Sequence, residues 1–250
     1  MKYIKEFTTT EEYNTYTADT NNFYAPNVSF INRGNKVEYH QYVPHDYVEI
    51  GGIKWATMNI GAESVTDYGL YFQWGDTAGY TSGQCGSSST AYKKPFSWAD
   101  CVLHNGTSNS GATTFTKYNG NDGKTVLEPC DDAVVLHWGG NWRMPTTEEF
   151  VALGAAVNSA FTTNYNDSGV AGVILTDKTD SSKILLFPAA GGCGDGSLNL
   201  GGSDGYYWSS SLISSLVRGA YNMKFYSSNV NWRYSSDRRS GFSVRPILDE

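Results

Sequence analysis

Acid–base and metal chemistry need histidines, carboxylates or thiols held close together, and this sequence groups few of them in that way. Its four histidines (His40, His45, His104 and His137) fall at no metal-ligand spacing with another His, Cys or carboxylate. They read as surface residues or satisfied core residues. Asp131-Asp132 lies near His137, but neighbours on a strand face opposite ways, so a surface or helix-capping role is expected. Asn119-Gly120-Asn121-Asp122-Gly123 has the composition of a calcium loop. With Gly123 at its sixth position, however, Tyr118 and Pro129 occupy the first and twelfth, where acids are required. No G-x-S-x-G, phosphate-binding loop, dinucleotide fingerprint or H-E-x-x-H is present. The expectation is a chain with no catalytic residue, no metal and no cofactor.

The chemistry the sequence does offer is recognition, and it is concentrated near the C-terminus. Gly205-Tyr206-Tyr207-Trp208 at one end and Gly241-Phe242-Ser243-Val244-Arg245-Pro246-Ile247 at the other have the aromatics, Gly and Pro that a core and a closing strand need. Between them, Leu212, Ile213, Ser214, Ser215, Leu216, Val217, Arg218 and Gly219 follow neither a helical nor a strand period. The same holds for the run 233–240: Arg233, Tyr234, Ser235, Ser236, Asp237, Arg238, Arg239 and Ser240. Both stretches mix Leu, Ile, Arg, Tyr, Ser and Asp as a binding surface does. Tyr226 and Ser227 join them as candidate ligand contacts. Tyr226, Tyr234, Arg218 and Arg233 are the expected anchors, since Tyr and Arg dominate binding hot spots. The net charge is −7, which argues against nucleic acid, yet residues 209–246 carry six basic residues and one acid. That segment is +5 on a remainder of −12. Two readings stand side by side: structural arginines, with Arg245 the foremost, or a locally basic binding face.

The elements that must position these residues are mostly strands and turns. Helix formers are scarce, while Gly (27), Tyr (18) and Trp (7) are plentiful. Residues 1–46 read as a small leader: a capping box at Thr9-x-x-Glu12 opening a short helix with Tyr13 and Tyr16, then a hairpin of 27–31 and 36–40 around Asn32-Arg33-Gly34-Asn35. Pro44 marks the boundary. So short a piece buries little core alone and should dock on a neighbour or another chain. From residue 47 the main domain begins, with a strand over 47–50 turned by Gly51-Gly52 into 53–56. Residues 79–125 read as long loops. A helix is expected over 147–157, from Pro145, the Thr146-x-x-Glu149 capping box and Phe150, Leu153 and Val157 on one face. A hairpin of 173–175 and 184–187 turns around Asp180-Ser181-Ser182. Residues 220–225 alternate as a half-buried strand, and 242–247 form a last strand whose proline implies an edge or a strand end.

Four cysteines (Cys85, Cys101, Cys130, Cys193) are widely spaced with no CxxC pair, so reduced thiols are expected, with one disulfide left open. No apolar run approaches the roughly 20 residues of a membrane span, so no membrane insertion is expected. The opening residues 1–9 lack the apolar region of a secretion signal. The chain is therefore expected either to have been trimmed or to reach its place of action without the general export route. The Asn-x-Ser/Thr triplets at Asn27, Asn105 and Asn166 matter only on a glycosylating route, for which nothing argues.

Five motifs, in order, resemble one family: 53–62 (Ile-Lys-Trp-Ala-Thr-Met-Asn-Ile-Gly-Ala), 68–76 (Tyr-Gly-Leu-Tyr-Phe-Gln-Trp-Gly-Asp), 138–146 (Trp-Gly-Gly-Asn-Trp-Arg-Met-Pro-Thr), 207–211 (Tyr-Trp-Ser-Ser-Ser) and 241–246 (Gly-Phe-Ser-Val-Arg-Pro). This is the major paralogous domain first noted in Fibrobacter succinogenes and abundant in gut Bacteroidales and their phages. The likeness spans roughly residues 47–248, and the leader looks like segments that open Bacteroidales phage and prophage proteins. The resemblance implies an α+β C-type lectin fold over 47–250, with two helices and paired first and last strands. Relatives include the variable proteins of diversity-generating retroelements, in which copying at template adenines randomises codons such as AAC. The types allowed by that process exclude Lys, Glu, Gln, Trp and Met, and the two irregular stretches hold only permitted types. Lys224 does not fit and is left out, and Asn222, Asn229 and Asn231 fit either as unmutated sites or as fixed residues. A variable region of about 209–247 is thus expected, on a phage or prophage receptor-binding protein, in the virion tail or at the cell surface. Its partner would be a protein or glycan on a bacterial surface, with the leader serving self-association or virion assembly. Calcium-dependent sugar binding is not expected, because neither Glu-Pro-Asn nor Trp-Asn-Asp ligands occur. A formylglycine-generating oxidase and a Bacteroidales surface adhesin are the alternatives. The first needs a late cysteine pair, and only Cys193 lies in the last 120 residues.

Overall fold

Gly51 and Gly52 join β4 (Tyr47–Ile50) to β5 (Ile53–Ala56), and both have positive φ, 62° and 78°. That is what a two-residue hairpin turn demands and what glycine adopts without strain. A computed structural model describes residues 45–86, 93–105 and 114–250 in full, and the backbone of 2–6, 28–33 and 36–41. The outer edge of β5 takes β15 (Ile247–Leu248), which in turn pairs with β6 (Trp142–Arg143). The C-terminal strand is therefore interior to a four-stranded antiparallel sheet of order β4-β5-β15-β6. It is also shorter than expected. Pro246 ends the approach by accepting a bond from the Ala56 N–H at 2.9 Å, while Phe242 and Ser243 make single bridges to Phe72 and Tyr207.

In the leader, β2 (Val28–Arg33) and β3 (Lys36–Gln41) form the expected hairpin, and β1 (Lys2–Glu6), which no local signal announced, pairs with the other edge of β3. The expected helix around 9–16 and the Pro44 boundary lie outside the described residues. β2 runs alongside the first described α-helix, α1 (Ala133–Trp138).

Two α-helices occur among the described residues. Asp132 caps α1 by accepting from the Val134 and Val135 N–H groups, and its second oxygen takes the Met144 N–H at 2.9 Å. The capping role was expected, but Asp132 is buried where a surface residue was the other option. Burial raises its pKa to about 6 despite those bonds. The second helix, α2 (Thr147–Ala156), opens with the reciprocal Thr146–Glu149 box and buries Phe150 and Leu153. Val157, expected on the same face, begins β7 (Val157–Thr162) instead.

β7 pairs with β8 (Gly172–Asp177), and β8 with β9 (Ile184–Pro188), across the predicted polar turn. There Asp177 and Asp180 accept from the N–H groups two and three residues on. A short hairpin, β10 (Gly192–Gly194) with β11 (Ser197–Asn199), precedes an antiparallel sheet of β12 (Gly205–Leu212), β13 (Gly219–Tyr226) and β14 (Asn229–Asp237). The chain is thus a mixed α and β protein built mainly of antiparallel strands.

The aromatic motifs form the core. Trp55, Trp74, Trp142 and Trp208 are fully buried, and two of them tie distant segments: the Trp74 indole N–H donates to Ser209 O and that of Trp208 to Phe72 O. Arg245 is structural, as one reading had it. Its buried guanidinium donates to Asn59, Ala56 O, Thr57 O and Leu186 O, and lies 4.4 Å from the Phe187 ring centre. The thiol expectation is corrected, since Cys85 and Cys193 form a disulfide with Cα atoms 6.0 Å apart and a sequence separation of 108. Cys101 (buried) and Cys130 (exposed) are free. The turn after the 3-10 helix Ser82–Gln84 meets β10 only through the tertiary fold, so spacing gave no sign of the pair.

Candidate functional site

The β12–β13–β14 sheet decides where each candidate contact points. Gly205 must be glycine, because a Cβ there would fall 2.2 Å from the Phe225 ring. The alternation expected for β13 holds only in part. Met223 and Phe225 are buried with Tyr221 beside them, but Ala220 and Asn222 on the opposite face are fully buried too. That second face carries Tyr206 and Trp208 from β12, Asn222 and Lys224 from β13, and Tyr234 and Ser236 from β14.

Lys224 is the hub of this face. Its ammonium lies 5.0 Å from the ring centres of Tyr206 and Tyr234 and 5.9 Å from that of Tyr226, with Asp204 at 3.8 Å. Burial works against the Lys224 charge, but Tyr206, Tyr234 and Asp204 outweigh it and hold the pKa above the ordinary lysine value. Beside this cluster, the β10–β11 hairpin and the 234–242 segment border an open cleft of about 300 Å³. Gly192, Gly194, Leu200, Tyr206, Tyr234, Ser235, Ser236, Ser240 and Phe242 line it. A second groove, of about 310 Å³, opens past the β13–β14 turn, where Tyr226 and Ser227 face Phe161 and Trp232.

The predicted contacts do not all reach this surface. Leu212 and Ile213 are 4% and 6% exposed and belong to the interior, Leu212 packing in the core that holds Trp74 and Trp208. Gly219 is also buried, and a Cβ there would meet Ile213 Cδ1 at 2.9 Å. The irregular sequence of 212–219 thus hides a strand end, and only its tip (Ser214, Ser215 and Leu216) and Arg218 are exposed, with Val217 half-buried. Tyr226 and Tyr234 are exposed at 41% and 37%, and Ser227, Arg233 and Ser235 are exposed as well. Ser236, Asp237, Arg239 and Ser240 are half-buried. Together these residues follow the edge strand β14 from its Asp237 end, beside Arg218, to the Tyr226 turn. At about 3.3 Å per residue that is a strip of roughly 25 Å rather than a round patch. Tyr234 and Ser236 face the cleft, while Arg233 lies on the other side, 5.5 Å from the Tyr221 ring centre.

The basic-face reading is not supported by the ion pairs. Arg218 meets Asp237 at 3.4 Å, Arg233 meets Glu148 at 2.5 Å, and Arg239 pairs with Asp195 and with Asp237. Arg238 is fully buried, donating to Lys117 O, Tyr118 O and Val217 O and packing against Trp74 and Phe115. Burial pulls its pKa down to about 10. Of the six basic residues in 209–246, two (Arg238 and Arg245) are therefore buried in the frame and four (Arg218, Lys224, Arg233 and Arg239) are paired with acids.

Among the described residues one metal-type cluster occurs, Glu128, Cys130 and Asp131. The Lys117 ammonium already sits between Glu128 and Asp131 and supplies the countercharge. The cleft wall itself (Gly192, Gly194, Leu200 and Tyr206) was missed from sequence. Its signal was the glycine-dense run 191–196 between two strands, where an open wall needs residues without side chains.

A domain family of unknown function, DUF8237, matches residues 173–247, the span from β8 to the first residue of β15. Comparison with curated proteins and with solved structures finds no match.

Proposed function

We propose that this chain is a ligand-binding protein whose contacts are exchangeable side chains along β14 and its flanking turns, carried on a C-type-lectin-like frame. The observation that carries this reading is a division of labour within one sheet. Exposed Ser214, Ser215, Leu216, Arg218, Tyr226, Ser227, Tyr234 and Ser235 lie beside buried residues that hold the frame: Leu212, Asn222, Met223 and Phe225 in the sheet, with Arg238 and Arg245 in the chain that follows it. The last strand, β15, joins the first hairpin of the domain through β5 rather than pairing with β4 itself, and this closure is independent of the exposed strip. The resemblance described above makes it a phage or prophage receptor-binding protein. It would act from a virion tail or a cell surface on a protein or glycan of a bacterial envelope, with the leader sheet serving assembly.

The test is binding to intact gut Bacteroidales cells. Tyr234→Ala should weaken binding by at least tenfold, as loss of a hot-spot tyrosine does, and leave the melting temperature nearly unchanged. An unfolded variant, or unaltered binding by a folded one, sinks the assignment. A neighbouring reverse transcriptase with a template repeat matching the 209–247 coding segment would identify the source of exchange.

A further inference from the structure

The cleft beside Lys224 has a chemistry narrower than the strip as a whole, and it selects a ligand class. No charged side chain lines it. The cations nearest to it are committed, Lys224 to Asp204 and the tyrosine rings, and Arg239 to Asp195 and Asp237. An anionic ligand therefore has no free counterion there. The walls combine the Tyr234 ring, one third exposed, with the hydroxyls of Ser236 and Ser240.

Behind them lies Asn222, fully buried between Trp208 and Tyr234 in register. Its amide nitrogen donates to Ser236 Oγ at 3.0 Å, which leaves the Ser236 proton free to point into the cleft. Its amide oxygen has no hydrogen-bond partner among the described residues. That oxygen is fully buried and does not line the cleft, so Asn222 acts on a ligand there only by positioning Ser236. An apolar side chain seated in the cleft would instead strip water from the hydroxyls of Ser236 and Ser240 without replacing it. An aromatic platform, serine hydroxyls along one side and no charged lining suit a neutral, polyhydroxylated ring.

We propose that this cleft is a binding subsite for one neutral sugar ring, a hexose or N-acetylhexosamine, with Tyr234 as the stacking platform and Ser236, positioned by Asn222, as the hydrogen-bonding group. The proposal rests on the ligand-binding reading above and makes it more specific. It needs no bound ion. A ligand of about a dozen non-hydrogen atoms binds with a constant on the order of millimolar.

Glucose, galactose, mannose and N-acetylglucosamine are titrated singly into the intact chain while backbone amide resonances are followed. At least one should shift Gly192, Gly194, Leu200 and residues 234–236 selectively. Gly194→Trp provides the blocking variant. Gly194 lines the cleft, a Cβ there meets nothing within 4 Å, and its φ is not in the left-handed region, so the indole fills the cleft without straining the fold. Gly194→Trp and Tyr234→Ala should each weaken the sugar-induced shifts at least tenfold. The proposal is overturned if no sugar shifts these residues, if the shifts survive Gly194→Trp, or if the peptide Gly-Leu-Gly binds the cleft and the sugars do not. Cell binding measured in parallel separates the two ideas. Wild-type protein that binds cells through Tyr226 and Arg218 but no sugar refutes the subsite alone, whereas protein that binds neither cells nor sugar refutes both.

Discussion

Leu212 and Leu216 are the same residue type four positions apart in one irregular stretch, yet one is 4% and the other 45% exposed. Leu212→Ala empties part of a packed aromatic core and should cost about 2–5 kcal/mol, whereas Leu216→Ala should stay within about 0.5 kcal/mol. Urea denaturation of the two variants decides it, and equal stabilities would place Leu212 wrongly. His45 gives a pH-dependent counterpart. It stacks on Trp138 with ring centres 3.4 Å apart, and burial lowers its pKa from 6.5 to about 4. Between those values the unfolded chain binds the proton more readily, so this residue withdraws stability as pH falls from 6.5 to 4. Asp132 acts in the opposite sense: its folded pKa of about 6 lies above the unfolded 3.8, so it adds stability as pH falls through that window. The wild-type curve mixes the two. His45→Gln removes the first contribution, so its melting temperature relative to wild type should rise steadily from pH 6.5 to 4 and then level off. A constant difference would exclude the histidine.

At the scale of elements, the Cys85–Cys193 bond fastens β10 to the turn that follows the 3-10 helix Ser82–Gln84, across a sequence separation of 108. Chain entropy puts the upper bound for such a closure near 4–5 kcal/mol, with about 2–4 kcal/mol typical. Reduction should therefore lower the thermal midpoint by several degrees and loosen the β10–β11 wall of the cleft, seen as faster amide exchange at 192–199. An unchanged midpoint would mean that the bond is dispensable. Elements with a local cause were readable in the sequence: the Gly51-Gly52 hairpin, the Thr146–Glu149 capping box and the polar turn between β8 and β9. What was not readable depends on partners far along the chain. Nothing near Cys193 announces Cys85, and nothing in Arg238-Arg239 says that the first is swallowed by Trp74 and Phe115 while the second pairs with Asp195. The candidate face was legible as a region for the same reason that it was illegible in detail. Loss of periodicity marks a surface stretch, but a strand end packed against a loop also loses its period, and that is how Leu212, Ile213 and Gly219 entered the list.

For the molecule as a whole, the arrangement makes a claim about mutational load. Two buried guanidinium groups, Arg238 and Arg245, bond to backbone carbonyls from segments far apart in sequence, so these bonds do not depend on which side chains stand at the exposed positions. Substitutions at Ser214, Ser215, Leu216, Tyr226, Ser227, Tyr234 and Ser235 should each cost no more than about 0.5 kcal/mol, and they should add except at Tyr226 and Tyr234, which share Lys224 and should couple. A library randomised at those seven positions should give mostly soluble protein with thermal midpoints clustered near the wild-type value. A matched library at Leu212, Ile213, Gly219, Asn222, Arg238 and Arg245 should give mostly unfolded chains, since each replacement opens a cavity, forces a Cβ into its neighbour or strands buried carbonyls. Similar losses from both libraries would show that recognition and stability share the same residues. The sheet could not then exchange its contacts freely.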